Sequence, residues 1–422
     1  MTALTYVGIG FGAIQAGLFL YEAWRSGHFD RLVVAEVVPE VVEAIRAAGG
    51  SFSINIAHAD RIESVTVGPI DIYNPNDDHD REQLIQAIAG AQEIGTAVPS
   101  IKFYQSDGKG SLHRLLGAGL QLKQETGGPR AVIYAAENDN YAAEKLSAAV
   151  ETAIPPADHA AVLERVRFLN TVIGKMSGMA EDAAGLPLLP VTPGSKRAWL
   201  VEAFNRILIS RIDYAEPFQR GLDVFIEKPD LLPFEEAKLY GHNAVHAMAA
   251  YLARLLNLPT MDLLRGRPAV MAFLREAFLI ESGGALMQKY NGLDDLFTQA
   301  GYTAYADDLL QRMTNPWLRD AVERVGRDPA RKLGADDRLI GTMRLALRWG
   351  IQPRRFGMGA AAALAALDPA LFSSAAPLDS TLDSLWVAAP PSADEQAVLL
   401  NLIADGRERL HHWLAGSSLV DG

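Results

Sequence analysis

Apolar and polar positions change rhythm part-way along the chain. In the first half, short apolar runs read as buried strands at Thr5–Val7, Leu32–Glu36, Ile94–Val98 and Ala131–Ala136. Stretches with helical spacing separate them, one ending near Ser26 and others at Asp77–Ala91 and Leu112–Glu125, the last broken by Thr126-Gly127-Gly128-Pro129. Strands alternating with helices predict βαβ units and a parallel sheet. Between Ser51 and Tyr73 the pattern is strict alternation, with Phe52, Ile54 and Ile56 followed by Ile62, Val65 and Val67. That predicts a two-stranded excursion from the parallel pattern. Val166–Ile173 resumes it, Pro187–Pro193 is a proline-rich connection, and Arg206–Pro217 reads as a final long strand. Beyond about Pro229 the spacing is helical: Ala237–Leu255, Pro268–Tyr290, Ala304–Met313, Asn315–Val325 and Asp337–Arg348. Ser392-x-x-Glu395 has the form of a capping box and opens a last helix to about Leu414.

Composition narrows the function classes. The 422 residues are 49% hydrophobic and 21% charged, a globular balance, and the length predicts two domains. A net charge of −12 argues against a nucleic-acid or anionic-membrane partner. The absence of cysteine rules out a disulfide framework and a thiolate zinc site. The N-terminus runs into a strand with no basic leader, and the most apolar later run, Met358–Leu367, is too short to cross a bilayer. A cytoplasmic protein is expected, as a monomer or homodimer.

The first strand leads into Gly8-Ile9-Gly10-Phe11-Gly12-Ala13 and then a helix, with the spacing G-x-G-x-x-A. In such a turn the first glycine permits the tight bend and the second lets backbone approach a pyrophosphate. The small third residue packs helix on strand. The helix start offers free N–H groups to phosphate. The second strand ends in Glu36, whose carboxylate can accept from both ribose hydroxyls and repels a 2′-phosphate. No arginine follows it, so NAD is favoured over NADP. Thr96-Ala97-Val98 and Glu137-Asn138 lie at the C-terminal ends of strands, the edge that faces a ligand in a parallel sheet. The expected fold class is α/β plus all-α. A Rossmann-type parallel-sheet domain at 1–230 binds NAD, and a mainly helical substrate and catalytic domain follows at 231–422.

The stretch Pro233–His246 is the start of a helix, with proline where its missing N–H costs nothing. At about 100° per residue, Glu235, Lys238, Asn243 and His246 share an arc of about 140°, and His242 falls on it too. One face thus carries a proton shuttle, an amine, an amide and an imidazole.

With those residues in view, the chain resembles the polyol-specific long-chain dehydrogenases, the mannitol dehydrogenase family. The most specific likeness is Lys238-x-x-x-x-Asn243-x-x-His246; Gly8–Ala13, Thr96-Ala97-Val98-Pro99 and Glu137-Asn138 match in order. Glu281-Ser282-Gly283, Asn315-Pro316-Trp317-Leu318 and Arg338-Leu339-Ile340 are most like the family's mannitol-1-phosphate branch. The resemblance implies zinc-free chemistry. Lys238 takes the alcohol proton while a hydride leaves for NAD. Asn138 and Asn243 hold the developing alkoxide, His246 orients substrate, and Glu235 passes the proton to water. An ordinary lysine, with a pKa of about 10.4, is a poor base near neutrality, so burial or a neighbouring cation must lower it.

Two features bear on the substrate. Where the family carries Asp-Arg after the strand near residue 170, this chain has Gly174-Lys175. The basic segment with Arg324, Arg327, Arg331, Lys332 and Arg338 reads either as a solvated or clamping face or as a phosphate site. The expected substrate is a sugar alcohol or a sugar phosphate: hexitol phosphate against ketose phosphate first, an unphosphorylated hexitol or uronate second. A β-hydroxyacid dehydrogenase spaces its lysine and asparagine four apart rather than five. A non-catalytic NAD sensor has no need of the full set.

Overall fold

The computed structural model describes residues 4–181, 186–204, 206–373 and 376–419. The chain forms two compact units, Met1–Leu232 and Pro233–Gly422.

Among the described residues the first unit contains twelve strands: β1 (Leu4–Ile9), β2 (Phe29–Ala35), β3 (Phe52–Ala57), β4 (Ile62–Val67), β5 (Asp71–Tyr73), β6 (Glu93–Thr96), β7 (Ala131–Ala135), β8 (Val166–Val172), β9 (Ser177–Glu181), β10 (Arg197–Glu202), β11 (Ile207–Ser210) and β12 (Phe225–Lys228). Eight of them make one sheet in the order β12-β11-β8-β7-β6-β1-β2-β5. From β8 to β5 every pairing is parallel; β11 runs antiparallel to β8. The chain goes outward from β1 to β2 and β5, then returns to lay β6 on the other side of β1. That reversal is the switch point at which open α/β sheets bind their ligands. The register places Ile9 between Ala35 and Thr96, so the ends of β1, β2 and β6 finish level.

Both sheet faces are covered, as parallel strands require. Along β1, Tyr6 joins one buried cluster with Phe19, Tyr134 and Phe225, while Val7 and Ile9 join another with Val33, Ile94 and Ile133. On the aromatic side Gln15 Oε1 has no partner among the described residues, but several other buried polar atoms are paired. Gln15 Nε2 donates to the Tyr6 hydroxyl at 2.7 Å, and the Tyr134 hydroxyl donates to Glu93 at 2.7 Å. The Gly221 N–H donates to the same Glu93 carboxylate.

The excursion at 51–73 is larger than a two-stranded ribbon. β3 and β4 pair as expected, but β10 adds beside β3 and β9 beside β10, giving a second sheet in the order β4-β3-β10-β9. The strand read at Arg206–Pro217 is shorter, ending at Ser210, and β12 pairs alongside it.

The second unit is helical. Leu232–Glu236, Ala237–Asn243 and Ala244–Leu255 form one continuous helix, whose middle segment is π-wound. Pro268–Glu276, Ala277–Gly283 and Gly284–Lys289 form another with a π-wound middle. The alanine-rich run near 360 lies in a helix, Arg354–Leu367, that is buried along most of its length. Small residues let it approach helix Ala393–Leu414: a β-carbon at Gly357 would stand 2.5 Å from the Leu402 carbonyl oxygen.

The expected helix at Asn315–Val325 is not continuous. Asn315 Oδ1 accepts from the Trp317 N–H at 2.9 Å, an Asx turn that competes with helix. Arg319 has φ of 44°, and Ala321 bridges Thr260, so helix resumes only at Val322–Gly326.

Buried Glu281 caps the alanine-rich helix. Its oxygens accept from the Arg355 N–H at 2.9 Å and the Phe356 N–H at 3.0 Å, with the Arg355 guanidinium at 3.4 Å. Glu281→Ala strands those donors, and unmet buried donors cost about 1–3 kcal/mol each. The melting temperature is expected to fall by roughly 6–12 °C in a calorimetric scan. A change under 1 °C would remove Glu281 from the fold's supports.

Candidate active site

The turn after β1 is shaped by contacts that exclude side chains. Gly10 has φ of +85°, and a β-carbon there would stand 2.8 Å from the Ala97 carbonyl oxygen. A β-carbon at Gly8 would stand 2.2 Å from Gln15 Nε2, the amide that serves Tyr6. By contrast nothing lies within 4 Å of the β position of Gly12, so that side of the turn is open. Helix begins at Ala13. The Phe11 ring is turned into the core, edge-on to Phe52 with centroids 5.0 Å apart, which leaves its backbone to line the turn.

Glu36 follows the end of β2 and reaches that turn. One oxygen accepts the Phe11 N–H at 3.0 Å and the other the Val38 N–H at 2.8 Å. Each oxygen keeps a second lone pair for a ribose hydroxyl. Beyond β6, buried Glu137 accepts from the Thr96 hydroxyl at 2.8 Å and the Val98 N–H at 2.8 Å, and from the Tyr104 hydroxyl. Glu137 is thus the anchor of the Thr96-Ala97-Val98 segment, a role that sequence reasoning missed although an acid beside Asn138 was visible. Asn138 itself is exposed past the end of β7. Lys175, at the family's arginine position, is buried and donates to the Phe204 carbonyl at 3.1 Å.

These residues fit a dinucleotide: a glycine turn with an open face, a helix start, and an acid at the end of β2. Gly8, Gly10, Phe11, Gly12, Ala13, Thr96, Ala97 and Val98 would line its phosphates and nicotinamide half, with Glu36 on the ribose. Glu36→Ala is expected to lower the preference for NAD over NADP by about 10–100-fold, since a charged hydrogen bond is worth about 1.5–3 kcal/mol. The ratio of kcat/KM with each cofactor reads it, and an unchanged ratio defeats the assignment.

In the second unit, Lys238 and Asn243 fall inside the π-wound segment. A π turn hydrogen-bonds residues five apart, which brings these two positions closer to one face. In an α-helix they would diverge by about 140°. His246 follows three residues on, a same-face neighbour of Asn243. The imidazoles of His242 and His246 lie with centroids 5.9 Å apart. The segment sits close against its neighbours: a β-carbon at Gly241 would stand 2.8 Å from both the Phe278 ring and the Tyr302 hydroxyl.

Burial lowers the Lys238 pKa to about 8; the Glu235 carboxylate raises it in part and the Arg338 guanidinium lowers it further. Burial also holds both histidines neutral, His242 well below its usual value and His246 at about 4. Of these three groups, Lys238 titrates closest to neutrality.

The basic segment does not converge as a whole. Arg324 pairs with Asp320, Arg331 pairs with Asp328 at 2.9 Å, and Arg327 is exposed. Lys332 is 2% exposed, and its ammonium donates to the carbonyls of Val325, at 2.6 Å, and Arg327. Arg338, whose side chain is 12% exposed, is the member whose charge reaches Lys238, His242 and His246.

A glycine turn in one unit and a desolvated lysine on a histidine-bearing helix in the other are features expected of an NAD-dependent oxidoreductase. Residues 230–377 match the mannitol dehydrogenase C-terminal domain. The chain is 30% identical over 358 residues to a mannitol-1-phosphate 5-dehydrogenase of Halalkalibacterium halodurans, covering 85% of this chain and 87% of that protein. It is 28% identical over 356 residues to the Bacillus licheniformis protein of the same name, covering 84% and 86%. Among solved structures, Pseudomonas fluorescens mannitol 2-dehydrogenase, a ternary complex with NAD and D-mannitol, superposes with a TM-score of 0.69 at 16% identity, over 99% of this chain and 95% of that one. A substrate-free D-sorbitol dehydrogenase gives 0.74 at 13% identity, over 97% and 93%. The chain belongs to the mannitol dehydrogenase family.

Proposed function

We propose that this enzyme interconverts a hexitol phosphate and a ketose phosphate, with Lys238 as general base. The carrying observation is the Lys238 amine, desolvated to a pKa of about 8 on a π turn that aligns it with Asn243. When bound, NAD supplies the acceptor for the hydride that leaves the alcohol carbon. Lys238 removes the hydroxyl proton as the C–H bond breaks, so the products are a ketone, NADH and a proton. Asn243 and Asn138 donate N–H groups to the oxygen as its charge grows, stabilisation that needs no reorganisation at the moment of reaction. Glu235 relays the proton from Lys238 to water, and His246 orients the substrate chain.

The phosphate is supported by the two curated relatives, both mannitol-1-phosphate 5-dehydrogenases, and by the Arg338 guanidinium, whose charge reaches Lys238. The four residues Arg324, Arg327, Arg331 and Lys332 are the first candidates for it, and Arg338 joins them on its position. The engagement of three of the four with local carboxylates and carbonyls favours a second reading, an unphosphorylated sugar alcohol or uronate.

A panel of ketoses and ketose phosphates with NADH separates the two. Fructose 6-phosphate is expected to exceed fructose and tagaturonate in kcat/KM. Equal or lower values would discard the phosphate.

A further inference from the structure

We propose that Asp320 is a positioning residue for His246, fixing the imidazole as the Nε2–H tautomer and leaving Nδ1 to accept a substrate hydroxyl. The proposal rests on the dehydrogenase reading of the Lys238–His246 face. Nε2 of His246 is buried and has no hydrogen-bond partner among the described residues, while Asp320 Oδ2 stands 3.9 Å from it. The side chain as a whole is 13% exposed, so the part that reaches substrate is not Nε2. A gap of 3.9 Å exceeds a hydrogen bond. Contacts of catalytic groups are often long before substrate arrives and tighten in its complex.

Asp320 is not free to swing away. Arg324 Nε donates to Oδ1 at 2.6 Å, its Nη2 donates to Oδ2, and the Asp320 carbonyl accepts the Met261 N–H at 2.9 Å. The backbone enters through Arg319 at φ of 44° and leaves through the Thr260–Ala321 bridge. The break in the expected helix is therefore what brings a carboxylate to the imidazole.

A carboxylate can only accept, so the ring nitrogen facing it carries the proton. Burial, with Arg324, Arg338 and Lys332, outweighs the pull of Asp320 and keeps the ring neutral, with a single proton to place. With that proton on Nε2, Nδ1 presents a lone pair. A lone pair selects an O–H donor. A phosphate dianion or a carboxylate has no proton to offer, so His246 reads a hydroxyl on the carbon chain and the anionic end of any acidic substrate binds elsewhere.

The test is ¹⁵N NMR of the full chain, labelled at its nine histidines, with NADH bound. The His246 signals are assigned by their loss in His246→Gln. The expected result is a protonated Nε2 and an unprotonated Nδ1. Asp320→Asn should give a mixture of tautomers, lower kcat/KM by about 10–100-fold mainly through KM, and leave NADH affinity unchanged. Asp320→Glu should restore most of the tautomer bias. A protonated Nδ1 in the unaltered protein overturns the proposal, and so does an Asp320→Asn variant with full kcat/KM. If Asp320→Asn does not fold, the unaltered protein's spectrum decides. A failed base assignment shows instead as retained turnover in Lys238→Ala, which leaves the tautomer result standing.

Discussion

Lys238→Ala is expected to lower turnover by about 10³-fold or more while NADH still binds, because a positioned general base contributes roughly 10²–10⁴-fold and its loss also leaves the proton without a first acceptor. The sharper signature is the pH profile. Alcohol oxidation needs the neutral amine, so kcat/KM should rise about tenfold per unit below pH 8 and level off above it. Ketone reduction needs the ammonium, so its profile should be the mirror image, flat below pH 8 and falling above. An amine with an unperturbed pKa of about 10.4 would place both inflections more than two units higher. Full turnover in Lys238→Ala removes the proposed base; inflections near 10 remove the desolvation argument.

Arg338 supplies a check on the cause of that shift. Its charge disfavours the ammonium, whereas Glu235 favours it. Glu235→Gln should move the oxidation inflection to lower pH and Arg338→Gln to higher pH, each read from the same rate profiles. Shifts in the opposite directions would mean that the residues act on the profile by some route other than charge.

The parallel sheet was legible because its strands are short apolar runs punctuated by helices, a pattern burial on both faces imposes. The glycine turn and Glu36 were legible for a similar reason: Gly10 cannot carry a side chain at φ of +85°, and the acid follows the second strand. What sequence hid was winding and breakage. A period of 3.6 residues spreads Lys238 and Asn243 around the helix, and only the π segment closes the gap. Asn315–Val325 has helical spacing, yet Asn315 diverts the backbone locally and Arg319 turns it. Asp320 owes its place beside His246 to that diversion, so no periodicity could have paired them. Strands β9 and β10 escaped because a four-stranded sheet built from distant segments looks, in any one window, like an isolated ribbon.

Asn243 carries the second large effect. Asn243→Ala should lower kcat by about 10²–10³-fold, the loss found when one donor to a developing oxyanion is removed. KM should change little, because the amide gains most of its interaction as negative charge builds on oxygen. The helix should survive, since Asn243 lies where π winding returns to α and alanine is the better helix former. Asn243→Asp separates charge from size. It keeps the shape but replaces a donor with a carboxylate that repels the alkoxide, so it should be slower than Asn243→Ala despite being the smaller steric change. If the aspartate variant proves the faster of the two, the amide is filling space rather than stabilising charge. Asn138→Ala, tested alone and with Asn243→Ala, then measures whether the two amides act on one oxygen: a combined loss that departs from the product of the single losses means that they share it.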